Sequence, residues 1–157
     1  MTLRASAFVR ANFVTETPWE IVVLEATERH LRRKLIVLQH GDEVLVDLVT
    51  ATKLNDRDCL VLEDGRLVEI IAAEEELLEV VARNAEHLVQ LAWHVGNRHL
   101  EAQIEKDRML IRRDHVIAHM LEHQGAILRE VRETFSPEHG AYHSHAGNAA
   151  GAHGHEH

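Results

Sequence analysis

Over the first 73 residues, apolar and polar positions alternate or gather into short β-branched runs, and no stretch holds a helical period. The segment "RKLIVLQHGDEVLVDL" (33–48) predicts two strands around a polar His40-Gly41-Asp42 turn. "CLVLEDGRLVEII" (59–71) predicts a hairpin, with Asp64-Gly65 suited to the positive-φ positions of a type I′ turn. Cys59 falls within that strand pattern and reads as a small core residue. The character changes around Glu74-Glu75-Glu76, after which "LLEVVA" (77–82) predicts a strand. Asn84 then reads as an N-cap with Glu86 in the first turn. Leu88, Leu91, Ala92 and Val95 fall on one arc, which predicts an amphipathic helix over 85–95, stopped by Gly96-Asn97. "EAQIEK" and "RMLIRR" predict two short strands around Lys106-Asp107. Asp114 caps a second predicted helix over 115–124, with Val116, Ile117, Met120 and Leu121 inward and Gly125 at its end, and "ILREVRET" (127–134) predicts a last strand.

The order from residue 77 is β-α-β-β-α-β, the ferredoxin-like split arrangement. The expected fold class is therefore α+β. A β-rich domain spans 1–74, a ferredoxin-like βαββαβ domain spans 75–136, and a His-rich tail spans 137–157. Past Pro137 the chain reads "EHGAYHSHAGNAAGAHGHEH", which has no apolar period and is expected to be disordered.

Composition adds three constraints. At 157 residues and 45% hydrophobic the chain can build one domain or two small ones, and with only 4% aromatic residues the core must be aliphatic. A formal net charge of −9 argues against nucleic acid or an anionic membrane as partner. The single cysteine excludes an internal disulfide and zinc-finger cysteine spacing. No run reads as a signal peptide or approaches the ~20 apolar residues of a membrane span, so a cytoplasmic location is expected.

Histidine changes the picture most, with 14 among 157 residues. Imidazole binds nickel, copper and zinc well. The tail carries His139, His143, His145, His153, His155 and His157, spaced so that a flexible chain can wrap them round one cation. They are interleaved with Gly, Ala and Ser, unlike a contiguous purification tag. "HMLEH" (119–123) matches the H-x-x-E-H pattern of inverted zinc proteases, with Glu122 as a candidate base and His115 extending the row. Catalytic zinc needs a third protein ligand, and no helix downstream supplies one, so the row reads as a polar edge beside the Val116–Met120 core stripe. His94 lies on the last turn of the first helix, where a histidine suits the helix C-terminus. His99 follows the Gly-Asn stop and sits on a turn. One imidazole holds a metal poorly, but a two-fold axis brings the same residue from two subunits together.

"HVGNRH" (94–99), with Asp114-His115 sixteen residues on, then Met120-Leu121 and Gly125-Ala126, resembles the UreE family of urease accessory proteins. The resemblance covers 77–135 closely, and the β-rich front half and His-rich end agree with it. It implies a homodimeric nickel (Ni2+) metallochaperone, not an enzyme, with a β domain like peptide-binding domains of heat-shock proteins and a ferredoxin-like metal-binding domain. It implies partners as well: a urease accessory GTPase and the urease apoprotein complex. The family's interface nickel ligand falls on His99 and its second ligand position on His115, with tail histidines His143, His145, His153, His155 and His157 as further ligands. Some members carry a histidine two residues before that second position, where this chain has Arg113.

The expected mechanism is capture and hand-over, with no bond-breaking step. A general buffer or store for nickel, zinc or copper remains open on the residues alone, since imidazole does not select nickel sharply. So does an interaction module with an incidental tail. Because protons compete for neutral imidazole, nickel affinity should weaken as pH falls through about 6.5. Nickel titrations between pH 5 and 8 check this, and a flat profile would exclude histidine ligation.

Overall fold

A computed structural model describes residues 2–138; Pro137 is buried and Glu138 bridges to Ala102, so the expected tail does not begin at 137, and the rest of it, with His139 to His157, lies outside the described residues. The chain forms two compact units. The first closes at Glu75 and also takes Arg132–Ser136; the second runs Glu76–Val131 and resumes at Pro137.

The first unit contains β1 (Leu3–Val9), β2 (Glu20–Leu24), β3 (His30–Val37), β4 (Glu43–Lys53), β5 (Cys59–Leu62) and β6 (Leu67–Ala72). They form one sheet in the order β2-β6-β5-β1-β4-β3. β1 runs parallel to β4 and β2 parallel to β6, while the β3–β4, β5–β6 and β1–β5 pairs are antiparallel. Alternation decides which side chains go inside. Val44, Val46 and Leu48 of β4 are buried, and so are Leu60 and Leu62 of β5 and Val68 and Ile70 of β6. The cluster of buried residues is wholly aliphatic, with Phe8 packed at its margin.

Both predicted hairpins form, but neither has a type I′ turn. Gly41 and Gly65 have φ +98° and +90°, while Asp64 does not enter the positive-φ region. In each hairpin the glycine N–H donates back three residues, Gly65 to the Leu62 carbonyl at 2.8 Å and Gly41 to Leu38 at 3.0 Å. The closing bonds, Leu62 N–H to the Arg66 carbonyl and Leu38 N–H to the Asp42 carbonyl, each enclose three residues. This is a type I turn followed by a left-handed glycine bulge, which needs one positive φ where type I′ needs two.

Two buried charged groups organise the connections. Asp58 accepts from the Ala11 N–H at 2.9 Å, the Asn55 N–H at 2.8 Å and the Arg10 guanidinium at 2.8 Å. Arg29 is 1% exposed and donates to the Leu24 carbonyl at 3.1 Å and the Phe135 carbonyl at 2.5 Å. It thereby ties the returning segment, with the buried Phe135, to the first unit. Burial lowers the Arg29 pKa, an effect opposed by the carboxylates of Glu75 and Asp56. Near the sheet edge, Glu20 accepts from the Ile21 N–H and pairs with His40, and both hold its carboxyl below the usual carboxylate range.

The second unit follows the order β7 (Glu74–Val81), α1 (Ala85–Asn97), β8 (Gln103–Ile104), β9 (Arg108–Arg112), α2 (His115–His123), β10 (Ile127–Thr134). Its sheet order is β10-β7-β9-β8, with β7–β9 and β8–β9 antiparallel. Leu88, Leu91 and Val95 of α1 and Ile117 and Leu121 of α2 share one core with Val80, Met109 and Ile111 of the sheet. Two expectations are corrected. α1 continues through Gly96 and Asn97 to end at Asn97, so that pair does not stop it. Val116, expected inward, is 62% exposed. It lies about 100° round the helix from Ile117, beyond the buried stripe. Met120 is partly buried against the core.

Replacing Arg29 by Met would take the donor from two carbonyls and leave the buried Glu75 without its counter-charge. The chain should lose about 3 kcal/mol of stability in urea unfolding. An unchanged midpoint would mean that the clasp contributes nothing.

Candidate metal centre

α1 starts as its sequence dictates. The Asn84 carboxamide accepts from the His87 N–H at 2.8 Å, satisfying one of the open donors of the first turn. The His87 ring, buried at 4% exposure, accepts at Nδ1 from the Arg83 N–H at 3.0 Å. Its Nε2 lies 2.8 Å from the Gln124 carbonyl oxygen. A carbonyl only accepts, so the ring proton is on Nε2. His87 thus joins the start of α1 to the end of α2 and has no nitrogen left for a metal. The sequence reading passed over this residue. The signal was its place three residues after the cap, where a capping box carries Glu or Gln.

The end of α1 is the centre of the site. Arg98 is the C-cap, and His99 is the residue that turns left-handed, with φ +60°. The His99 N–H donates to the Gly96 carbonyl at 2.9 Å and the Leu100 N–H to the Val95 carbonyl at 3.3 Å. These are the two bonds of a Schellman closure, and Leu100 packs into the core with Val95 as that motif requires. α2 ends in the same way one residue after its C-cap Gln124. There Gly125 has φ +87°, its N–H donates to the Glu122 carbonyl at 2.9 Å, and the Ala126 N–H donates to Leu121 at 3.1 Å. One helix places glycine, the least strained choice, at the left-handed position. The other places an exposed histidine there, beside the partially negative helix terminus that favours a cation.

His99 lines a cleft of about 210 Å³ with Leu100, Glu101, Arg113 and Asp114. Asp114 caps α2, accepting from the Val116 N–H at 2.9 Å and the Ile117 N–H at 3.1 Å. Arg113 is anchored by its guanidinium, which donates to the Leu77 carbonyl at 3.2 Å and the Val131 carbonyl at 3.1 Å. His115, the first residue of α2, is exposed and lines a different cleft, of about 640 Å³, which shares Arg113 and Asp114 with the first. His99 and His115 therefore line different clefts, which share Arg113 and Asp114 in their walls.

The other candidates separate clearly. His94 is half-buried, and the Trp93 ring stands edge-on to it at 5.1 Å. His119, Glu122 and His123 are exposed along α2. Cys59 is buried, and burial, with Glu69 and Asp58 nearby, pushes its thiol pKa up, away from the thiolate a metal would need. Among the described residues no group of three His, Cys, Asp or Glu side chains is placed to hold an ion. Among them, too, no helix is long and apolar enough to cross a membrane.

Comparison with known proteins adds the following. Residues 7–73 match the profile described as UreE urease accessory protein, N-terminal domain, and residues 75–157 match UreE urease accessory protein, C-terminal domain. The chain is 49% identical over 146 residues to the urease accessory protein UreE of Rhizobium rhizogenes, covering 93% of this chain and 87% of that protein. It is 48% identical over 147 residues to that of Agrobacterium fabrum, covering 94% and 91%. It is 60% identical over 120 residues to that of Mesorhizobium japonicum, covering 76% and 61%.

The left-handed histidine gives a stability test. His99→Gly relieves the strained position and His99→Ala does not, so with chelator present the glycine variant should be the more stable of the two by about 1 kcal/mol. Urea midpoints at one protein concentration measure the difference, and equal midpoints would mean that the position carries no strain.

Proposed function

The chain belongs to the family of UreE urease accessory proteins, and from that premise we propose that it is a nickel metallochaperone of urease maturation in the cytoplasm. It collects nickel and delivers it for assembly of the urease metallocentre through a urease accessory GTPase. Nickel is cargo here, and the function needs no bond-breaking chemistry.

The observation that carries the reading is His99 itself. It is an exposed imidazole on a left-handed residue just past a helix end, whose backbone is closed by two hydrogen bonds, with the partly buried Leu100 packed against the core cluster that holds Val95. A non-glycine residue held in that conformation points to a functional constraint. We read the second unit as the ferredoxin-like metal-binding and dimerisation domain, a reading its strand order β10-β7-β9-β8 supports. In the proposed homodimer, a two-fold axis brings the two His99 rings to one ion.

The remaining ligands are assigned to the tail, with His143, His145, His153, His155 and His157 as candidates. One contact supports this. Glu138 bridges to Ala102, donating its N–H to the Ala102 carbonyl at 2.8 Å and accepting the Ala102 N–H at 3.3 Å. Glu138, the last described residue, thus lies beside the residue three positions after His99. His115, in its own cleft, is a secondary ligand. A shell of imidazole and water suits a carrier, because its ligands exchange one at a time; zinc or copper would enter the same sites. The β-rich domain of residues 1–74 is assigned to partner or peptide binding.

Equilibrium dialysis of nickel against the chain truncated after Gly140, beside its His99→Ala variant, tests the proposal. About one nickel per two chains, lost in the variant, is expected for a ligand on a two-fold axis. No nickel on either truncated form would make the tail the whole site. Nickel transfer from the full chain to the GTPase separates a chaperone from a buffer, which would transfer none.

A further inference from the structure

We propose that the last turn of α2 carries a second metal site, a two-imidazole chelate of His119 and His123 for one borderline divalent transition ion: nickel, copper or zinc. It needs neither His99 nor the tail, and it stands whether or not nickel is the chain's cargo.

The geometry starts from the buried stripe. Ile117 and Leu121 fix one face of α2 in the core, so His119 and His123 are held on the exposed side. Residues four apart on a helix lie one above the other, with Cβ atoms about 5–6 Å apart. Two imidazoles at that spacing can meet one ion with metal–nitrogen distances of about 2.0–2.1 Å. The turn that carries them is held at its end. Gly125 closes it with the Schellman bonds, and His87 fixes the Gln124 carbonyl at 2.8 Å. The spacing is therefore set before any ion arrives, which reduces the ordering cost of binding.

His115 continues the same column and offers a rival pair with His119. Electrostatics favours the pair at the other end. His123 lies in the last turn of α2, at its partially negative terminus, with the exposed Glu122 carboxylate adjacent. His115 lies in the first turn, at the partially positive end of the helix, so for an ion shared with His119 it is the less favoured partner of the two, and Asp114 is engaged as the cap. Because no third His, Cys, Asp or Glu among the described residues converges on the pair, the site is two-point and leaves its other positions to water. Such a site exchanges its ion readily.

Histidine modification by diethyl pyrocarbonate, mapped by peptide mass spectrometry on the full chain with and without nickel chloride, tests this. Nickel should lower the labelling of His119 and His123 severalfold, both in the unsubstituted chain and in its His99→Ala variant. In His119→Ala, His123 should lose that protection. Equal labelling of both residues with and without nickel would overturn the proposal. So would persistent protection of His123 in His119→Ala, which would place its cover elsewhere. Failure of the chaperone reading would appear separately, as a His99 whose labelling nickel does not change.

Discussion

An α-helix can end compactly only if its last carbonyls find donors, and in the second unit that requirement is met twice by one left-handed residue. At α2 the residue is Gly125; at α1 it is His99. The functional reading depends on the second case. The His99 N–H and the Leu100 N–H must close on Gly96 and Val95, and Leu100 must reach the core beside Val95. Those backbone bonds place the His99 backbone, and with it the start of its side chain, just past the helix end. Replacing His99 alters the ligand while leaving the donors that end the helix in place, since those donors belong to the backbone.

The two helices are coupled at their other ends too. His87 accepts from Arg83 at the start of α1 and donates to Gln124 at the end of α2. Gly125 follows directly, and a Cβ there would lie 3.4 Å from the Arg83 guanidinium carbon. Cap, buried histidine and left-handed glycine thus form one junction. That junction holds the turn carrying His119 and His123, while the Schellman closure at the far end of α1 holds His99. One buried histidine has a structural role, and the exposed ones are the candidates for metal.

Much of this was legible in the sequence, because caps, arcs and alternation are local. Asn84 and Asp114 cap their helices, Leu88, Leu91 and Val95 face the core, and β3 to β6 and the strands of the second unit overlap the predicted runs, whereas β1 and β2 lie where no run was delimited. The misses have non-local causes. Gly96-Asn97 offered a nearer stop, but the helix closes just beyond it, through the His99 and Leu100 N–H bonds to Gly96 and Val95, with Leu100 packed against the core. Val116 looked like part of the apolar stripe by composition, yet the stripe is centred on Ile117 and Leu121. Arg29 was silent, because nothing near it in sequence announces a carbonyl at Phe135. At the site, the place of His99 on a turn was readable. Its left-handed backbone and its separation from His115 were not.

That separation bears on how the proposed nickel shell is completed. Arg113 is pinned to the Leu77 and Val131 carbonyls, and Asp114 is committed to the cap of α2. Together they stand between the clefts of His99 and His115. In the proposed shell the further ligands of His99 come from a second copy or from the residues after Glu138, which bridges to Ala102. In the proposed shell, ligands that arrive by association can leave again without unfolding the second unit, so release of nickel would depend on what competes for them.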